Sequence, residues 1–140
     1  MTSHNVHYSS EKMDWGTPDE LYSKLSRIYR FDLDAAADKA NAKCKRFYSV
    51  NDCGLTGTWA GARVWCNPPY GRQIGKWVQK AANEAHHAEL IVMLVPSRTD
   101  TAWWHLAIQT ARPVFIKGRL RFKGAPSSAP FPSALLIWNC

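Results

Sequence analysis

A chain of 140 residues is long enough for one domain with a sizeable core and too short for two. Its apolar fraction of 46% is ordinary for a globular protein, so disorder is not the default reading, and its longest apolar run, Leu90 to Pro96, is far too short to span a bilayer. Eighteen lysines and arginines against 11 acidic residues give a net charge of +7 and a pI near 9.4, which favours polyanionic partners that release counterions on binding.

Residues 1–13 are polar and unpatterned, without an apolar signal core, and read as a flexible tail before a domain over 14–140. A helix follows. Thr17 is placed to be its N-cap, Pro18 suits the first helical position, and Asp19 and Glu20 favour the positive end of the dipole. Leu21, Leu25 and Ile28, with Tyr22 and Tyr29, recur at helical spacing. Phe31 to Asp34 reads as a short strand ending on a carboxylate, followed by Ala35, Ala36 and Ala37. The stretch from Asp38 to Gly61 is polar and glycine-containing, with one short strand around Arg46 to Val50. Arg63 to Cys66 is a clearer strand, halted by Asn67-Pro68-Pro69-Tyr70-Gly71, because neither proline can donate a ladder hydrogen bond.

Ile74 to His87 is expected to be helical, with Ile74, Trp77, Val78, Ala81 and Ala82 on one side. The uninterrupted apolar run Leu90 to Val95 is a strand covered on both faces. Thr99 or Asp100 can cap a helix over Thr101 to Ala111. Val114 to Ile116 is a further strand, and Arg119 to Phe122 alternates charged and apolar residues as a half-exposed strand would. Ser127 to Pro132 is a loop, and Ala134 to Trp138 closes the domain as a strand.

Strands alternating with helices predict a three-layer α/β domain with a largely parallel sheet. Ligands bind such sheets beyond the carboxyl ends of the strands. Asp34, Asn67 to Tyr70, and Ser97 to Asp100 all follow predicted strand ends, so that edge is the expected active face. Cys44, Cys53, Cys66 and Cys140 form no CxxC pair and have no histidine at zinc-finger spacing, which predicts reduced thiols in a cytoplasmic protein with no metal site. A zinc site built from Cys44, Cys53 and Cys66 is the weaker alternative. Most of the seven tryptophans are expected in the core; the alternative is a groove where some stack on bases.

Asn67-Pro68-Pro69-Tyr70 carries the most chemical information. An exocyclic adenine amine is a poor nucleophile, because its lone pair is delocalised into the ring. To accept a methyl group the nitrogen must pyramidalise and take on positive charge, so a useful site aims acceptors at its two N–H groups. The Asn67 side-chain oxygen can be one acceptor and the Pro68 carbonyl the other. Pro68 and Pro69 restrict φ and add no competing donors. Tyr70 can stack on the base, which must leave the duplex to reach such a pocket. The alternative is a proline-rich turn in which Tyr70 simply packs.

Other segments fall in a telling order: Trp15-Gly16-Thr17-Pro18 before a helix, Phe31 to Ala37, Asn41 to Cys44, Gly54-Leu55 with Trp59, and Val64 to Gly71. Pro96 to Thr101 with Trp103-Trp104-His105, and then Gly118 to Phe122, complete it. In this order they resemble the phage-type DNA N6-adenine methyltransferase family (Dam-like), from Trp15 to nearly the C-terminus. The resemblance implies a Rossmann-like S-adenosylmethionine-dependent methyltransferase fold, S-adenosylmethionine as methyl donor and adenine of double-stranded DNA as acceptor. It also implies a phage or prophage setting inside a bacterial host, such as protection of phage DNA from restriction. By the same resemblance Thr17 and Pro18 help hold the methionine end of the cofactor. Asp34, Ala35, Ala36 and Ala37 occupy the cofactor loop after the first strand, and Asn67, Pro68, Pro69 and Tyr70 form the catalytic motif. Asp52 is placed to bind the cofactor's ribose or adenine, or else is a turn residue beside Gly54.

Two departures stand out. The cofactor loop of the broader superfamily is glycine-rich, whereas here the small residues are alanines. Only 32 residues separate Asp34 from Asn67, so the sheet is expected to be abbreviated there.

Arg98 is a candidate for phosphate or cofactor contact, against a surface arginine in a loop. Arg119, Arg121 and Lys123 alternate along the predicted strand and are candidates for DNA-backbone contact, against a charged, aggregation-resistant edge. Of the adjacent Trp103 and Trp104, one should be core and the other groove-facing; Asp100 suits a cap and His105 a structural role. No segment has room for a separate target-recognition domain, so sequence preference must come from loops, from Asp38 to Gly61, or from a second subunit in a homo-oligomer. The same motif also suits RNA adenine, the amide of protein glutamine, or cytosine N4. From another class, a catalytically inactive DNA-binding module would have no need of it.

Overall fold

The computed structural model describes residues 15–49 and 54–139; the readings on the N-terminal tail and on Asp52 lie outside the described residues. Helix α1 spans Asp19–Tyr29, with Asp19 and Glu20 in its first turn. Pro18, not Thr17, is its N-cap, and no side chain caps it. The Thr17 hydroxyl is occupied elsewhere, as shown below. Arg30 closes the helix in the left-handed region (φ 52°), its N–H donating to the Ser26 carbonyl at 2.8 Å.

The strands and remaining helices are β1 (Leu33–Ala37), β2 (Phe47–Ser49), β3 (Arg63–Cys66), α2 (Ile74–Glu84), β4 (Leu90–Pro96), α3 (Ala102–Thr110), β5 (Arg112–Phe115) and β6 (Ser133–Asn139). They build one six-stranded sheet in the order β2-β1-β3-β4-β6-β5. The first four are parallel; β6 runs antiparallel to both of its neighbours. Successive strand residues point to opposite faces. Leu33, Val64, Ile91 and Trp138 stand in register on one face, where Trp138 Nε1 donates to Thr110 Oγ1 of α3 at 2.8 Å and α2 packs beside α3. Asp34, Trp65, Val92 and Ile137 form the opposite row, and Tyr22 of α1 meets the Trp65 ring edge-on with centroids 5.6 Å apart. Helices on both faces make the three-layer α/β architecture.

Several expectations need correction. β1 does not stop at Asp34 but runs on through Ala37, because pairing with Ser49 of β2 and the burial of Ala35 and Ala37 outweigh the weak strand preference of alanine. Asp34 therefore sits inside a strand rather than past its end. Residues 119–122 form no strand. Gly118 (φ 76°) and Gly124 (φ 80°) turn the chain at either end, and among the described residues the one β-bridge here is isolated, between Lys123 and Gly16. Ala129 N also donates to the Leu120 carbonyl at 2.8 Å, and the alternation survives without a ladder, with Phe122 buried and Arg119 and Arg121 exposed. α2 ends at Glu84, short of His87. The cap of α3 is Thr101, whose Oγ1 accepts from Trp104 N and donates to the Arg98 carbonyl.

Six tryptophans (Trp15, Trp59, Trp65, Trp77, Trp104 and Trp138) are buried and Trp103 is half-buried, so the rings serve the core. Cys44 and Cys66 are free thiols. The 54–60 loop is pinned to α2: Glu84 Oε1 accepts from Trp59 N at 2.6 Å, and Lys80 Nζ donates to the Gly57 carbonyl at 2.6 Å. At Gly54 a Cβ would collide with the Ala35 carbonyl oxygen and the Trp77 ring. Gly54→Ala should therefore destabilise the fold by about 1–3 kcal/mol through overpacking. An unchanged thermal midpoint would show that β1 and α2 part more easily than this packing allows.

Candidate active site

An open α/β sheet leaves a crevice where neighbouring strands send their connections to opposite sides. Here that place lies between β1, which continues to β2, and β3, which leads through α2 to β4. Asp34 is level with Trp65, so β1 extends past the end of β3 where Asn67 and the prolines halt it. A cavity of about 790 Å³ opens there. Small-molecule sites occupy roughly 300–1,000 Å³.

One side of the cavity is a loop built by carboxylate and amide acceptors. Asp38 Oδ1 accepts from Ala40 N (2.8 Å) and Asn41 N (3.0 Å), and Asn41 Oδ1 accepts in return from Asp38 N (2.8 Å). Asp34 latches the loop to β1: its Oδ2 accepts from Lys43 N at 2.9 Å and its Oδ1 from Ala36 N at 3.3 Å. Burial raises the Asp34 carboxyl above its ordinary range, while the two backbone N–H groups act the other way. Lys43 Nζ and Lys123 Nζ both reach Asp19 Oδ1, at 3.1 and 3.3 Å, and these hydrogen bonds hold the Asp19 carboxyl below its ordinary range. Ala36, Ala37, Ala40 and Ala42 line the cavity with methyl groups, leaving room along the backbone.

The other side is Trp65, Asn67, Pro68 and Pro69. Asn67 Nδ2 donates to the Trp15 carbonyl at 2.5 Å and to Thr17 Oγ1 at 3.0 Å. Its Oδ1 is buried and has no hydrogen-bond partner among the described residues. A buried acceptor left unpaired costs about 1–3 kcal/mol. Such an atom marks a place where a donor is missing.

Tyr70 does not line this cavity. Its ring is 3% exposed, its hydroxyl donates to the Leu94 carbonyl at 3.2 Å, and it meets Phe131 and Phe122 edge-on at 5.8 and 6.2 Å. It lines a second cavity of about 350 Å³ with Arg72, Arg98, Trp103 and Phe131. Trp15 lines both cavities. The motif thus runs from the larger cavity to the smaller.

Of the expected cofactor residues, Thr17, Asp34 and Ala36 line the larger cavity. Ala35 does not, because alternation turns its side chain to the other face; Pro18 caps α1 instead, its carbonyl accepting from Tyr22 N. Of the expected DNA contacts, Arg98 borders the smaller cavity with its guanidinium 5.6 Å from the Phe131 ring centre. Arg119 and Arg121 are exposed on the 118–124 segment, where Arg121 Nε donates to the Ala125 carbonyl. Lys123 lines the larger cavity and pairs with Asp19, so it stands with the pocket rather than with the arginines. His105 bonds the Thr99 carbonyl at 2.9 Å, a structural contact. Trp15, Asp38, Asn41, Lys43 and Gln73 line the cavity without having been assigned from sequence. The reciprocal Asp38–Asn41 turn was a readable signal for some of these. Among the described residues no cluster of three or more His, Cys, Asp or Glu could hold a metal, and no helix is long and apolar enough to cross a membrane.

A protein of Escherichia phage T1 named DNA N-6-adenine-methyltransferase is 40% identical over 99 residues, covering 69% of this chain and 41% of that protein. A protein of the same name from Haemophilus phage HP1 (strain HP1c1) is 28% identical over 116 residues, covering 81% of this chain and 66% of its own length. The chain therefore spans under two thirds of either relative. The sequence model of the family described as DNA N-6-adenine-methyltransferase (Dam) matches residues 5–138, a span that takes in the crevice, the unpaired Asn67 oxygen and the 118–124 segment. With nearly its whole length matched, the chain belongs to the Dam DNA N-6-adenine-methyltransferase family.

Proposed function

We propose that this chain methylates the N6 amine of adenine in double-stranded DNA, with S-adenosylmethionine as donor. The observation that carries the reading is the Asn67 Oδ1, buried and unpaired beside a cavity of cofactor size. The residues present fit the cofactor: Asp34, the 38–43 loop and the lining alanines would hold it, and it supplies an electrophilic methyl group when bound. A base extruded toward Tyr70 and Trp103 in the smaller cavity would bring its amine toward Asn67 and Pro68, which line the larger one, with Trp15 lining both. There Asn67 Oδ1 accepts from one N–H and the Pro68 carbonyl from the other, countering the positive charge that grows on nitrogen. The names of the phage relatives support DNA adenine over RNA adenine, glutamine amide or cytosine as acceptor.

The test is transfer of radiolabelled methyl from S-adenosylmethionine to unmethylated DNA, with RNA and bulk protein alongside and product nucleosides separated. Label in N6-methyladenine from DNA is expected. Label in RNA or protein instead, or none at all, would remove this reading; no label together with DNA binding would favour an inactive binding module.

Arg98, Arg119 and Arg121 are the proposed DNA-backbone contacts, since all three are exposed on or near the same end of the sheet. Arg121→Ala should weaken DNA binding and reduce the salt slope of log K by about one. An unaltered slope would move the contact elsewhere.

A further inference from the structure

The geometry points to Thr17 as a positioning residue that fixes the orientation of the Asn67 amide, rather than as a cofactor ligand; this rests on the function proposed above. An asparagine after a strand can turn either end of its amide toward a cavity. Here the choice is forced. The Trp15 carbonyl carries only lone pairs, so the atom 2.5 Å from it must be the amide nitrogen. Thr17 Oγ1 takes the second N–H at 3.0 Å. Both donors of the amide are then used, and the oxygen is left without a partner among the described residues.

Both acceptors belong to one short segment, and that segment is itself held. The Trp15 ring meets Phe122 and Phe131 edge-on, each at 5.2 Å. Lys123 N donates to the Gly16 carbonyl at 2.9 Å. Thr17 is only 5% exposed although it borders the cavity, so its hydroxyl is committed inward. A carbonyl alone would still permit the amide to swing about one hydrogen bond. Two acceptors, one for each N–H, fix its plane.

The experiment compares Thr17→Val, which keeps shape and removes the acceptor, with Thr17→Ser, which keeps the acceptor. Thr17→Val should lower kcat for DNA methylation by about tenfold, the effect of one lost hydrogen bond on an oriented group. Its S-adenosylmethionine Kd by calorimetry should stay within about twofold, and Thr17→Ser should keep kcat within about twofold. Retained kcat with weakened cofactor binding would make Thr17 a cofactor ligand and overturn the proposal, as would equal loss in the serine variant. A second readout does not depend on activity: the Asn67 side-chain NH₂ protons in NMR. One of them should lose exchange protection in Thr17→Val and keep it in Thr17→Ser; equal protection in both also overturns the proposal. If the unaltered chain methylates no DNA, the functional reading fails, while the NMR comparison still decides the role of Thr17.

Discussion

Asn67→Ala should lower turnover roughly a hundredfold or more, the scale seen when an oriented dipole facing developing charge is removed. The alanine still lines the cavity, so cofactor affinity should stay within about twofold, and the loss should appear in kcat rather than in binding. Single-turnover kinetics with calorimetry on the same samples checks both. Turnover near that of the unaltered chain would sink the proposed role of Asn67. Asn67→Asp is informative beside it, because it is not a conservative change in this setting. A carboxylate has no donor for the Trp15 carbonyl, and two oxygens would face each other where the amide hydrogen bond now lies. Only the protonated carboxyl can replace that donor, so its folded-state pKa should be raised. Activity of the variant should then be greatest at low pH and fall as pH rises through that pKa.

Asp34→Ala should damage the cofactor side of the site as severely. The carboxylate is 3% exposed and accepts from Lys43 N and Ala36 N, so its removal leaves two backbone donors unpaired and frees the 38–43 loop. Hydrogen bonds to a charged group are worth about 1.5–3 kcal/mol, which translates into cofactor binding weaker by roughly tenfold to a hundredfold. Asp34→Asn keeps one acceptor and should recover part of that affinity. Calorimetric titration with S-adenosylmethionine distinguishes these outcomes. Unchanged affinity in Asp34→Ala would mean the loop stands without its latch and contributes little to the cofactor site.

The parts of the fold that were legible in the sequence are those governed by nearest neighbours or by continuous burial. Leu90 to Pro96 and Ala134 to Trp138 are apolar throughout because both faces of the central strands are covered. The stop at Asn67 was equally clear, since prolines end a ladder wherever they fall. β1 was misjudged because alanine is a poor strand former in isolation, and only β2 and β3 on either side keep it extended. The 119–122 segment was misjudged for the converse reason: alternation reports which way side chains face, not whether a partner strand exists. Thr17 has the composition of a helix cap, yet its actual partner lies 50 residues away, beyond the reach of any local rule. The Asn67-Pro68-Pro69-Tyr70 segment was legible as a stop after a strand, whereas the lack of a partner for the Asn67 oxygen among the described residues could emerge only from three-dimensional placement.

The tether between Gly16 and Lys123 also bears on how the protein comes to work. The contacts that orient Asn67 join residues 52 and 50 apart, and the ion pair beside them joins residues 104 apart. Such closures cost chain entropy and form late, after the parallel strands have a framework to offer. Opening of the Trp15 to Thr17 segment is then expected to precede opening of the sheet. Loosening Trp15 to Thr17 would remove the proposed methylation while the strands stay intact, so loss of that activity on warming should precede melting.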